Sequence, residues 1–130
     1  MNYLLDSDVA IDYLNSKDST INLLPLSSAN NFFLSVISWL EISYGFKKSQ
    51  SKKKLVLFEE MLNSLQIKII SVDINVARTY LDCRISLEDK KIPLADFDLF
   101  IAATALNNNL TLITRNIKHF KRITNLKLYS

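Results

Sequence analysis

The stretch Leu94-Ala95-Asp96-Phe97-Asp98-Leu99-Phe100-Ile101-Ala102-Ala103-Thr104-Ala105-Leu106 constrains this chain more than any other. It reads as a helix that is apolar almost all round, and such a helix belongs in a protein core. Its two acidic residues, Asp96 and Asp98, stand at its head. A carboxylate at the mouth of a core helix must be hydrogen-bonded, paired or bound to a cation, because burying it alone is costly. Two further acids share that setting: Asp6, which closes the apolar run Tyr3-Leu4-Leu5, and Glu41, early in Ser38-Trp39-Leu40-Glu41-Ile42. Three carboxylates at the ends of buried elements point to a cation site.

Scarcities narrow the chemistry. Gly45 is the only glycine, His119 the only histidine and Cys83 the only cysteine. Phosphate-binding loops and dinucleotide fingerprints need several glycines. Histidine-rich metal motifs need more than one histidine. Disulfides and multi-cysteine zinc sites need more than one cysteine. No G-x-S-x-G nucleophile elbow is present. Catalysis in such a chain rests on carboxylates, whose oxygens select hard cations such as Mg²⁺ or Mn²⁺.

The length of 130 residues suits one domain over 1–130 with a substantial core. The hydrophobic share of 48% and charged share of 22% are those of an ordinary globular protein. No apolar run approaches the ~20 residues that span a bilayer. The N-terminus also lacks the basic-then-apolar order of a signal peptide. The expectation is a cytoplasmic protein with no membrane partner.

Periodicity predicts short apolar strands at residues 2–6, 31–35, 67–72 and 111–114, with a short fifth at 126–129. Helices are expected over 9–14, capped by Ser7 or Asp8, and over 20–24, stopped near Pro25. Others follow from Val36 or Ser38 to Lys48, over 52–65, from a cap at Asp73 to Glu88, and over 96–108, with a single turn at 117–120. The helix after Asp73 is expected to bury Ile74, Ala77, Tyr80, Leu81 and Ile85. Residues 88–93 form the clearest loop. Strands alternating with helices make an α/β domain with a mainly parallel sheet of four to five strands. Ligands of such sheets bind beyond the carboxyl ends of the strands, where Asp6 and the residues after Thr114 fall.

Each acid also has a structural reading. Asp6 suits a strand-ending turn. Glu41 completes the capping box Ser38-Trp39-Leu40-Glu41. Asp98 complements a helix dipole. The net charge of +3 says little, but the lysines are grouped. Lys47, Lys48, Lys52, Lys53 and Lys54 form one cluster, and Arg115, Lys118, Lys121, Arg122 and Lys127 another. Clustered cations suit a phosphate backbone or a solvated surface.

Four segments together resemble the PIN-domain ribonucleases, above all the VapC-type toxins of toxin–antitoxin pairs. They are Leu4-Leu5-Asp6-Ser7-Asp8, Leu40-Glu41-Ile42-Ser43-Tyr44-Gly45, Asp98-Leu99-Phe100-Ile101-Ala102-Ala103-Thr104-Ala105 and Leu112-Ile113-Thr114-Arg115-Asn116-Ile117-Lys118-His119-Phe120. The resemblance implies a three-layer α/β/α domain and a Mg²⁺- or Mn²⁺-dependent endoribonuclease. It also implies a homodimer inhibited by a cognate VapB-like antitoxin. It makes Asp6, Glu41 and Asp98 the catalytic and metal-binding acids, with Asp8, Thr114 and Asn116 in support. Asp96 is the rival to Asp98. Arg115, Lys118 and His119 become candidate RNA contacts. Many relatives carry a further acid where this chain has Asn116 and His119, so the resemblance implies one well-held metal rather than two, with Asn116 hydrogen-bonding an aspartate.

For a partner groove, the sequence offers Trp39, Phe46, Phe58 and Met61, more bulk than two modest helices need for one core. Two other classes remain. A receiver-like signalling domain would use Asp73 as phospho-acceptor. A nuclease-like domain could bind RNA or protein without cleaving.

Overall fold

The computed structural model describes residues 1–15 and 24–129. The helix expected over 20–24 therefore lies, Leu24 apart, outside the described residues. The elements follow in the order β1 (Asn2–Leu5), α1 (Ser7–Asn15), β2 (Asn31–Ser35), α2 (Val36–Lys48), α3 (Lys52–Ser64), β3 (Lys68–Ile70), α4 (Ile74–Asp89), α5 (Asp96–Asn107), β4 (Thr111–Ile113) and α6 (Ile117–Phe120). The strands form a parallel sheet in the order β3-β2-β1-β4.

Alternation along the strands builds the three layers. Tyr3, Leu5, Phe32, Leu34 and Ile113 face one side and join Ile42, Phe46, Phe58 and Met61 from α2 and α3. Leu4 and Leu112 face the other and join Leu87, Leu99, Ile101, Ala102 and Phe120 from α4, α5 and α6. A side chain in a strand points opposite to its neighbour, so one short apolar run feeds both cores. The α5 helix is buried along most of its length, as its composition requires.

Several details differ from expectation. The expected fifth strand is a single bridge between Leu112 and Leu128. In the three-residue β4, only Leu112 turns its N–H and C=O away from β1, and these bond Lys127 and Tyr129. Helix α1 begins at Ser7, so Ser7 and Asp8 lie inside it and Asp6 sits at its head. Helix α2 is capped by Ser35, whose hydroxyl accepts the Ile37 N–H. The expected capping box is therefore absent, and Glu41 stands one turn further in.

Helix α4 buries Val76 and Leu87, with Tyr80 and Cys83 packed beside them. Ile74, Leu81 and Ile85 are exposed. The seam with α5 is narrower than the apolar surface of α4, so part of the expected face is left outside. Phe46, Phe58 and Met61 are buried, and Trp39 is packed against them. They belong to the core on this side of the sheet. Asp73 caps α4 by accepting the Val76 N–H at 2.9 Å, which is a structural duty rather than that of a phospho-acceptor.

Candidate metal centre

Strand β1 is interior to the sheet, and the chain leaves it toward β2 on one side and receives β4 on the other. The crevice at its carboxyl end lies at a switch in strand order, where open α/β sheets bind ligands. Asp6 is the first residue beyond β1. Its N–H bonds the Ile113 carbonyl at 2.9 Å, extending the sheet and fixing the side chain's root. The residue is only 5% exposed. Its Oδ1 accepts the Ser7 N–H at 2.8 Å and its Oδ2 accepts the Thr114 hydroxyl at 2.7 Å. The Thr114 oxygen in turn accepts the Asn116 N–H at 3.0 Å. Asn116 thus reaches toward Asp6 through its backbone and Thr114, where an amide side chain was expected to do so.

Glu41 comes from the second turn of α2. Its Oε1 accepts the Ser7 hydroxyl at 2.9 Å. Ser7 therefore holds Asp6 with its backbone and Glu41 with its side chain. Asp98, in the first turn of α5, adds negative potential at both Asp6 and Glu41. His119 lies near enough to act electrostatically on Asp98. Asp8 projects from the first turn of α1, and its Oδ2 accepts the Arg115 N–H at 3.3 Å. Its Oδ1 is buried with no hydrogen-bond partner among the described residues.

The acids perturb one another in a common direction. Burial, then the charge of Asp8, raises the Asp6 carboxyl to about 7, against the pull of Thr114 and Ser7. Burial raises Asp8 against bonds from the Val9 and Arg115 backbones. It raises Glu41, with Asp98 adding to it, and raises Asp98 against His119. A cation placed among them would reverse these shifts. Among the described residues, no three Asp, Glu, His or Cys side chains are grouped tightly enough to hold a metal ion as they stand. The donors themselves are hard oxygens, and the buried Asp8 Oδ1 lacks a partner. Their chemistry fits a hard divalent ion that keeps several waters.

Asp96 is placed elsewhere. It accepts the Tyr80 hydroxyl at 2.8 Å and faces Arg84 at 3.6 Å, with its side chain 66% exposed. It ties α5 to α4. Arg115 is also engaged: its guanidinium pairs with Asp12. Lys118 is exposed on α6.

Residues 3–126 match the family model described as PIN domain. This chain belongs to the PIN-domain family. This PIN domain is 37% identical over 134 residues to ribonuclease VapC2 of Rickettsia felis, covering 98% of this chain and 96% of that one. Among solved structures, VapBC2 of Rickettsia felis, bound to a DNA fragment from its promoter, matches with a TM-score of 0.90 and 34% identity. That match covers 99% of this chain and 98% of the other. A toxin–antitoxin complex from Klebsiella pneumoniae matches with a TM-score of 0.70 and 26% identity, over 95% and 94% of the two chains.

Two residues act here without a distinct functional signal in the sequence: Ser7, which reads there as a helix cap, and Asp12. Their partners, Glu41 and Arg115, lie 34 and 103 residues away. Local patterning carries no trace of such pairings. The one available signal was a hydroxyl side chain directly after the strand-ending aspartate.

Proposed function

We propose that this protein is a Mg²⁺-dependent endoribonuclease, with Mn²⁺ as a substitute, and the toxin of a toxin–antitoxin pair. The observation that carries the reading is that Ser7 bonds both Asp6, just beyond β1, and Glu41 of α2, while Asp98 of α5 adds its charge to both, in a PIN-domain chain. Asp6 and Asp98 would hold the ion, with Glu41 and Asp8 supporting. When bound, Mg²⁺ acidifies a coordinated water and offsets negative charge on the phosphodiester.

The chain's own groups do the rest. The Ser7 N–H and the Thr114 hydroxyl hold both Asp6 oxygens, so the carboxylate keeps one orientation. Ser7 occupies Glu41 Oε1 and leaves Oε2 to accept a proton. Arg115 and Lys118 meet RNA phosphates, Arg115 by exchanging Asp12 for one. His119, beside Asp98, contacts substrate. Single-stranded or looped RNA exposes the backbone that such an open crevice needs.

The protein works in the cytoplasm as a homodimer, restrained by a VapB-like antitoxin. Support comes from the toxin–antitoxin complex among its structural relatives and from the unpartnered Ile74, Leu81 and Ile85 of α4. No helix among the described residues is long and apolar enough to cross a membrane.

Incubating RNA with pure protein, with and without Mg²⁺, tests the proposal. Cleavage that needs Mg²⁺ and disappears in Asp6→Asn supports it. RNA binding without cleavage under any metal condition favours a non-catalytic binder. Crystals soaked in Mn²⁺ should show one strong anomalous peak beside Asp6 and Asp98. Two adjacent peaks, or one bonded to His119, would overturn the single-metal assignment.

A further inference from the structure

Gly45 is the chain's one glycine, and it sits in the interior of α2 where the fold does not ask for it. Left-handed backbone occurs at Gln50, Gln66, Lys91, Asn109 and Asn125, none of them glycine, and Gly45 has no positive φ. Among the described residues, apart from its chain neighbours and the backbone of its own helix, no heavy atom lies within 4 Å of the position its Cβ would take. Alanine would therefore fit, and a helix interior prefers it. A glycine that weakens its helix and relieves no internal clash leaves room for something outside the chain.

The surroundings identify the visitor. With 3.6 residues per turn, Glu41, Gly45 and Lys48 fall on one stripe of α2, beside Tyr44, which is 60% exposed. The Lys48 ammonium lies 5.7 Å from the Tyr44 ring centroid. Beyond them come Lys47 and, across the turn, Lys52, Lys53 and Lys54 in the first turn of α3. None of these lysines joins an ion pair among the described residues. Three of them stand where the helix dipole already is positive and acids would stabilise. Clustered cations, an exposed ring and a notch open to close approach match a strand of nucleic acid, its phosphates on lysines and a base on the ring.

We propose that the Tyr44–Gly45–Lys48 stripe and the lysines beyond it form a track for single-stranded RNA running from the acidic crevice, a reading that rests on the nuclease assignment. The track starts at Glu41, and about 10 Å of helix separates Glu41 from Lys48. It gives the RNA strand a direction across the molecule and assigns a duty to the lysine cluster.

Binding of a labelled 20-nucleotide single-stranded RNA, followed by fluorescence anisotropy in metal-free buffer, tests the track apart from the chemistry. Gly45→Ala should raise the melting temperature by a few degrees and still weaken RNA binding about tenfold. A purely structural glycine would not show this opposition. Replacing Lys52, Lys53 and Lys54 together by Gln should weaken binding and lower the slope of log affinity against log salt by about 2. Unchanged RNA binding in both variants, with Mg²⁺-dependent cleavage by the wild type intact, overturns the track and leaves the nuclease reading standing. That is also the outcome if the notch serves a protein partner. A wild type that binds RNA but never cleaves it overturns the nuclease reading alone.

Discussion

Asp6 combines the lowest exposure among the acids of the crevice with a carboxyl raised from 3.8 to about 7. The folded protein therefore holds this proton more tightly than the unfolded chain does. The resulting stability is complete below about pH 3.8 and is lost as pH rises through about 7. Asp8, Glu41 and Asp98, also raised, push the same way. Metal-free protein should lose stability between pH 5 and pH 8 in urea unfolding, and Asp6→Asn should remove much of that slope. At pH 8 the gain is on the order of 2 kcal/mol, while RNA cleavage is lost. A wild-type curve flat over this range would count against the raised carboxyl. Asp98→Asn should likewise abolish cleavage and leave the fold intact, whereas Asp96→Asn should keep both activity and stability. A dead Asp96→Asn beside an active Asp98→Asn would reverse the assignment. The sequence placed both aspartates at the head of one helix. Positions two apart on a helix face different sides, so only the packing of α5 could decide which one meets the crevice.

Glycine is scarce at the helix ends, where backbone geometry favours it. Helices α3 and α4 close with Gln66 and Lys91 at φ of 52° and 60°. The Ile67 and Ile92 N–H groups then reach back to Leu62 and Leu87, each at 2.9 Å. This closure normally takes glycine, which meets no Cβ penalty in the left-handed region. Gln66→Gly and Lys91→Gly should each stabilise the protein by about 0.5–1 kcal/mol. Thermal unfolding would show it, and a loss in both variants would refute the argument. The four strands of the sheet and most helix bounds were legible because apolar runs and caps such as Asp73 are local signals. The exposed face of α4 was not legible: its apolar residues outnumber those the α5 seam can cover, and sequence does not rank them.

At the scale of the whole molecule, a ligand that binds only the folded state stabilises it by mass action, by about 2.7 kcal/mol at one hundred times its dissociation constant. Mg²⁺ or Mn²⁺ should raise the melting temperature by several degrees, more at pH 8 than at pH 6, because the ion must displace protons from the raised carboxyls. An equal rise in the Asp6→Asn, Asp98→Asn double variant would place the binding elsewhere. Light scattering should report a dimer, and a monomer at high concentration would argue against one. By itself the sequence determined the α/β class with a mainly parallel sheet, and it pointed to carboxylates at the ends of buried elements. Those follow from local periodicity, and from a lack of histidine, cysteine and glycine that left carboxylates as the available chemistry. Only the tertiary structure decided that Ser7 joins Asp6 to Glu41, that Thr114 holds the other Asp6 oxygen, that Arg115 is held by Asp12 and that Asp96 leaves the crevice for Tyr80. Each of these contacts joins residues distant along the chain or chooses between two faces of one helix. Periodicity reports which side of an element is apolar, but not what that side meets.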